Sequence, residues 1–373
     1  MTKNNHKNHF FFIAGEPSGD IHGAQIIFNL KKQNPNITFS GIGGANMEDQ
    51  GLKSLVPIEK MSVMGFWEVI KQLKFFISIE KLVINFIEKN NPTKIILIDY
   101  PGFNLRLAKK IKQKFNIPIT YYISPQIWAW KEKRIEIIKQ YIDNLIVIFP
   151  FEVNWYAKRG VKAHFFGHPM LNNKNKYNIK TLDSKQTLKI ALCPGSRMQE
   201  IAKHMPILMK VIDLINQINH TNIKFFIQKS SNIKRNVYQN FIKNRNVTIT
   251  SQPIPESFQS IDLAIVASGT ATLECAMTLT PMIVIYKMSW ISWIITKLFV
   301  KTQYASIVNI LANKKIVNEL LQHQFTNQNI IKNINHMIQK DNFQKIQNDY
   351  LECISTLNQE KVYYNTSKFI LNK

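Results

Sequence analysis

The chain has 373 residues, too many for one hydrophobic core, so two domains are expected. Its 45% apolar content excludes a disordered chain, and its three scattered cysteines exclude a disulfide scaffold or a cysteine metal site. A formal net charge of +24 favours anionic partners, but the lysines are dispersed and no zinc knuckle, RNA-binding or helix-turn-helix signature occurs, so no nucleic acid is expected.

The first predicted strand is the apolar run Phe10–Ile13, followed by Ala14-Gly15-Glu16-Pro17-Ser18-Gly19-Asp20 and a helix. A strand, a glycine turn and a helix start aim backbone N–H groups at an anionic ligand. The loop is not Gly-x-Gly-x-x-Gly and lacks the Lys-Ser/Thr ending of a P-loop, which excludes dinucleotide and ATPase fingerprints. It carries Glu16, Ser18 and Asp20, which are candidate catalytic groups or simply parts of the turn and its cap. Further strands are predicted near 38–42, 95–98, 119–123, 144–149 and 164–166. Helices alternate with them, as at 103–115, where Phe103, Leu107, Ile111 and Phe115 share a face.

Met61–Ile87 mixes Met64, Phe66, Trp67, Phe75 and Phe76 with Lys71, Lys74 and Lys81, more apolar than one amphipathic stripe needs. It reads either as an interfacial membrane helix or as core. Asp99 ends the strand 95–98, and Pro101 and Gly102 then turn the chain, which presents the carboxylate where a doubly wound sheet binds ligands. Trp128 and Trp130 either stack on a sugar, receive acyl chains or pack between domains. His168, in Gly167-His168-Pro169 at the domain boundary, reads as a ligand contact or, more often for a lone His, as structural.

Residues 172–187 are Asn/Lys-rich and read as a linker. Strands resume near 188–192, 223–228, 246–249, 262–266 and 282–286. The first runs into Gly195-Ser196-Arg197 and a helix from about Gln199, and an Arg beside a Gly-Ser turn suits a phosphate. The fourth runs into Ser268-Gly269-Thr270, a second phosphate-type turn, with Glu274 one helical turn on for ribose hydroxyls. Asn309 is a weaker candidate for the same pocket. Trp290–Val300 is a second candidate interfacial helix, and 341–371 reads as helical. The alternation gives α/β architecture, with doubly wound parallel-sheet domains at 1–171 and 188–340. The run Phe10–Ala14 is too short for a signal peptide, and no stretch nears the roughly 20 apolar residues of a span. A cytosolic protein, or one attached to the cytosolic face of a membrane, is expected.

Several longer stretches occur in order along nearly the whole chain. They are Gly15-Glu16-Pro17-Ser18-Gly19-Asp20, Ser62-Val63-Met64-Gly65-Phe66, Ile98-Asp99-Tyr100-Pro101-Gly102-Phe103-Asn104 and Ser124-Pro125-Gln126-Ile127-Trp128-Ala129-Trp130. After them come Phe149-Pro150-Phe151-Glu152, Gly167-His168-Pro169, Pro194-Gly195-Ser196-Arg197, Ser268-Gly269-Thr270 with Glu274, and Val308-Asn309-Ile310-Leu311. The set resembles the lipid-A-disaccharide synthases, family-19 glycosyltransferases of the bacterial lipid A pathway. Thr272 departs from the small residue usual in that family.

The resemblance implies a GT-B fold of two Rossmann-like domains facing a cleft, the first on the acceptor and membrane side and the second on the donor side. It implies that the tail 341–373 returns to an N-terminal domain, exchanged within a homodimer. It implies no cofactor and no metal. The implied reaction is inverting transfer from UDP-2,3-diacylglucosamine to 2,3-diacylglucosamine 1-phosphate (lipid X), giving the β-1,6 disaccharide 1-phosphate and UDP at the cytoplasmic face of the inner membrane. It also favours Asp99 as the base, with Glu16 and Asp20 as rivals. Two other readings stand beside it. One is a GT-B relative acting on non-acylated UDP-N-acetylglucosamine, an epimerase or peptidoglycan transferase, against which the apolar segment 61–87 argues. The other is a non-catalytic basic membrane-surface protein, against which Asp99, Arg197 and Glu274 argue.

Overall fold

The computed structural model describes residues 8–61, 73–172, 179–182, 187–218, 223–357 and 360–373. The chain divides into two compact units, Met1–Lys174 with Leu357–Lys373, and Asn175–Thr356.

The first unit is built on a parallel sheet of β1 (His9–Ala14), β2 (Thr38–Ile42), β3 (Leu52–Ser54), β4 (Lys94–Ile98), β5 (Ile119–Tyr122), β6 (Asn144–Val147) and β7 (Ala163–Phe165). The spatial order is β3-β2-β1-β4-β5-β6-β7. β1 is continuously apolar because both its faces are covered. Phe11 and Ile13 enter one core, and Phe10, Phe12 and Ala14 enter the other. The helices of interest here are α1 (Pro17–Gln33), α2 (Ala45–Asp49), α3 (Leu73–Asn90) and α4 (Pro101–Lys114). On α3, Phe76, Ile79, Val83, Ile84 and Ile87 form one buried face against the sheet core. Phe76, proposed above as a membrane contact, is therefore a core residue, edge-on to Phe75 and tilted against Phe103. Phe75 is half-buried against the same core. Met64, Phe66 and Trp67 lie outside the described residues.

The second unit repeats the plan with β8 (Leu188–Cys193), β9 (Ile223–Gln228), β10 (Val247–Thr250), β11 (Leu263–Ala267), β12 (Met282–Tyr286) and β13 (Asn318–Leu321), ordered β10-β9-β8-β11-β12-β13 and all parallel. Its sheet is followed by α5 (Met198–Ile218) after β8, α6 (Thr270–Met277) after β11 and α7 (Trp290–Phe299) after β12. In each sheet the strand order reverses once, between β1 and β4 and between β8 and β11. Those switch points open a crevice at the strands' carboxyl ends.

The C-terminal helices part company. The helix Lys340–Leu357 lies almost wholly in the second unit, and α8 (Val362–Asn372) covers α1 in the first. Gln33 Nε2 donates to Ser367 Oγ at 2.7 Å, His22 Nδ1 meets the Tyr363 hydroxyl at 2.7 Å, and Lys94 Nζ donates to the carbonyls of Ile370 and Leu371 at 2.7 Å each.

Candidate functional site

In the first unit Ala14 pairs with Ile98, so the residues that follow these strands, Gly15-Glu16 and Asp99-Tyr100, emerge side by side. Asp99 and Tyr100 both have left-handed backbones, with φ of 44° and 50°. Such a conformation is costly for residues with a Cβ and must be held by its surroundings. The Asp99 carbonyl accepts from the Tyr121 hydroxyl at 2.5 Å and from Asn104 Nδ2 at 2.8 Å. The Tyr100 hydroxyl donates to the Met61 carbonyl at 2.8 Å. The Tyr100 ring lies directly over Gly15, where an added Cβ would come within 2.3 Å of it. Gly15 is thus required by the ring that follows Asp99, and the contact ties the two loops together. Burial, and then the charge of Glu16, push the Asp99 carboxyl up to about 6. A carboxylate so poised accepts a proton more readily than an ordinary one.

The other acids of the first loop differ. Glu16 is exposed at the N-cap of α1, and Ser18 is exposed in its first turn. Asp20 is buried, and its carboxylate accepts the backbone N–H groups of Gly44 (2.8 Å), Asn46 (3.1 Å) and Met47 (3.1 Å), together with Asn46 Nδ2 (2.7 Å). Asp20 therefore anchors the N-terminus of α2, with its acceptor capacity already used.

In the second unit Cys193 pairs with Val266, which brings the turns after β8 and β11 together. They line a cavity of about 710 Å³ that contains Gly195, Ser196, Arg197, Ser268, Gly269, Thr270 and Glu274. Gly269 has φ 157° and ψ −163°, a region essentially reserved for glycine, and it starts α6, which has no acid in its first turn. The Thr272 hydroxyl donates to the Gly269 carbonyl at 2.7 Å, which gives this departure from the family pattern a local role. The Ser268 hydroxyl is turned away to the Ala305 carbonyl at 2.7 Å. Glu274 is half-buried at the cavity, and burial holds its carboxyl above the usual range.

The 195–197 turn is organised by a residue the sequence motifs do not single out. Glu200 Oε2 accepts the N–H groups of Ser196 at 2.9 Å and Arg197 at 3.2 Å, and Oε1 accepts Arg197 Nη1 at 2.8 Å. Its signal was the position of an acid at the third residue of a helix, where a side chain reaches back to the cap N–H. The Ser196 N–H is therefore already engaged by the protein's own carboxylate. Behind the turn, His204 Nδ1 donates to the Pro194 carbonyl at 2.7 Å and Nε2 accepts from the Lys287 N–H at 2.9 Å, which fixes one tautomer.

Three other residues lie elsewhere. Asn309 is fully buried in the helix Ile307–Ala312, not in a loop, and does not line the cavity. Its Nδ2 donates to the Val317 carbonyl and Glu319, and its Oδ1 accepts the N–H groups of Ile316 and Val317. Trp128 is half-buried, with Nε1 donating to Glu152 at 2.9 Å and its ring edge-on to Phe151. His168 is buried against Phe149, in keeping with a structural role.

A family model described as lipid-A-disaccharide synthetase matches residues 10–372. A lipid-A-disaccharide synthase 1 of Legionella pneumophila (strain Paris) is 40% identical over 321 residues, 83% of each chain. A lipid-A-disaccharide synthase of Myxococcus xanthus is 34% identical over 330 residues, 86% of each chain. Among solved structures, Acinetobacter baumannii MurG superposes with a TM-score of 0.59 at 12% identity, covering 98% of this chain and 100% of that one. The Methanocaldococcus jannaschii UDP-GlcNAc 2-epimerase, in complex with UDP-GlcNAc and UDP, gives 0.59 at 11%, covering 98% and 99%. At such identities these structures speak to fold alone, and that fold is GT-B, two Rossmann-like domains. With the family matched along nearly its whole length, the chain belongs to the lipid-A-disaccharide synthases, a family of glycosyltransferases.

Proposed function

We propose that the protein is an inverting glycosyltransferase that joins UDP-2,3-diacylglucosamine to 2,3-diacylglucosamine 1-phosphate in lipid A biosynthesis. The observation that carries this reading is the second-unit cavity, which gathers two glycine turns, Arg197 and Glu274 at one switch point. Such a set suits a nucleoside diphosphate, with the phosphates near Arg197 and the start of α6 and the ribose hydroxyls near Glu274. Asp99 is the general base. It takes the proton of the acceptor 6-hydroxyl as that oxygen forms its bond to the donor's anomeric carbon, while the bond to the diphosphate breaks on the opposite face and UDP leaves. Positioned bases of this kind contribute about 10²–10⁴-fold. Arg197 and the α6 dipole offset the charge gathering on the leaving diphosphate.

The test is incubation with both acylated sugars and mass spectrometry of the lipid fraction. Appearance of the disaccharide 1-phosphate with stoichiometric UDP is expected. Turnover of UDP-N-acetylglucosamine in place of the acylated donor would instead establish the non-acylated alternative.

The same reading includes peripheral attachment to the cytoplasmic face of the inner membrane. Among the described residues no helix is long and apolar enough to cross a membrane. Support for surface attachment comes from α7, where Trp290, Ile294 and Leu298 recur at four-residue spacing and face solvent, Trp290 being 72% and Leu298 74% exposed. Phe299 adds to this patch, and Lys297 lies beside it. Each large apolar side chain fully taken into lipid is worth about 1.5–3 kcal/mol. Replacing Trp290, Leu298 and Phe299 with Ser should release the protein from anionic vesicles with little change in thermal stability. Undiminished vesicle binding would remove α7 from the reading.

A further inference from the structure

Two acids line the second-unit cavity, Glu200 and Glu274, and Glu200 occupies a place made for an anion. A carboxylate that accepts two backbone N–H groups at a helix start and one guanidinium fills the niche a phosphate would otherwise take. Glu200 does this for Ser196 and Arg197, and it is buried. The turn is shaped around it. Gly195 has φ 115°, and a Cβ there would come within 2.4 Å of Glu200 Oε2. From the neighbouring strand end, the Tyr286 hydroxyl donates to Glu200 Oε1 at 3.2 Å. Burial, and then the Glu200 charge, hold that phenol above its ordinary value, so it stays a donor. The Arg197 side chain is 64% exposed and lines the cavity.

We infer that Glu200 is the positioning residue for Arg197. Its carboxylate uses up the N–H groups of Ser196 and Arg197 and holds the guanidinium toward the diphosphate of a nucleotide sugar. The diphosphate is then recognised by Arg197 and the 268–270 turn, and not by the 196–197 backbone. The inference rests on the nucleotide-sugar reading of this cavity and adds the residue through which Arg197 acts. A plain helix cap would bind the turn equally well but would have no business with the ligand, and that difference is measurable.

The experiment is a double-mutant cycle read by calorimetric titration with UDP. Glu200→Gln keeps size and one acceptor for the turn but removes the charge that fixes the guanidinium. It should weaken UDP at least tenfold in the native background and less than twofold in Arg197→Ala, because the residue acts only through Arg197. Equal losses in both backgrounds, or no loss in either, would show a cap with no part in recognition and overturn the inference. Should Glu200→Gln not fold, Tyr286→Phe replaces it in the cycle. A loss of about threefold that vanishes without Arg197 supports the inference, and a loss that persists without Arg197 overturns it. Native protein that does not bind UDP at all would instead defeat the nucleotide-sugar reading itself, which keeps the two failures apart.

Discussion

The two switch points share a fold and oppose each other in chemistry. After β1, the helix start is acidic: Glu16 stands at the N-cap of α1 and Asp20 in its first turn, with Asp99 beside them. After β11, the start of α6 carries glycine and threonine with no acid in the first turn, and Arg197 lies across the same cavity. A helix N-terminus attracts anions in either case. At α1 the acids Glu16 and Asp20 already stand at the cap and in the first turn, whereas at α6 none does, so the α6 start is left for a ligand. The difference shows that a glycine turn before a helix does not by itself mark a phosphate site, because the charges placed in the first helical turn decide what the turn can hold.

The sharpest way to break this contrast is to remove the proton acceptor. Asp99→Asn should lower kcat at least a hundredfold while UDP affinity and Tm stay nearly unchanged. Normal turnover, with Glu16→Gln inactive, would move the base into the first loop. Next in size, Arg197→Ala should cost about 2–4 kcal/mol of transition-state stabilisation, measured as kcat/KM. An unchanged kcat/KM would leave the second turn without its cationic function. A third variant makes the second site resemble the first: Thr270→Asp puts a carboxylate into the first turn of α6 and should weaken UDP about tenfold, whereas affinity within twofold of native would mean that the dipole is not used.

A smaller effect comes from pH. With Asp99 pushed up to about 6, kcat/KM should fall as pH drops through that value, while UDP titrated over the same range should show no matching loss. Glu16→Gln, which removes the second cause of the shift, should slide this acid limb to lower pH, and a limb that stays put would sever the link between the two loops. The sign for stability is opposite to that for activity. A carboxyl raised in the folded state favours its protonated form, so its contribution is fully present below the ordinary value of 3.8 and is lost as pH rises through about 6.

Much of this was legible in the chain. β1, β4, β8 and β11 read as short apolar runs because strands buried on both faces have no polar alternation to hide them. The short outer strands β3 and β13, three and four residues, carried too little pattern to be read. The positions of Asp99, Arg197 and Glu274 at strand ends were legible because each follows such a strand. Glu200 offered only the generic signal of an acid at the third residue of a helix, which does not tell that it holds an arginine as well as the turn. Asn309 and Asp20 misled for one reason: a polar residue near a strand end serves a ligand or closes a loop, and only the count of donors around it tells which. Phe76 and Trp290 show the limit for apolar residues. Both sit in Lys-bearing aromatic segments of like composition, yet one is 7% exposed and the other 72%, because α3 has a sheet face to cover and the outer stripe of α7 has none.

The docking of α8 on α1 has a consequence for biosynthesis. The first unit needs residues 357–373, which are made only after the whole second unit. At translation rates of about 5–20 residues per second, the sheet that carries Asp99 waits roughly 10–40 seconds for the helix that covers α1. During that interval the α1 surface around His22, Gln33 and the nearby Lys94 lacks its partner, and a nascent chain in this state is one that a holding chaperone, or the last helix of another copy, can engage first.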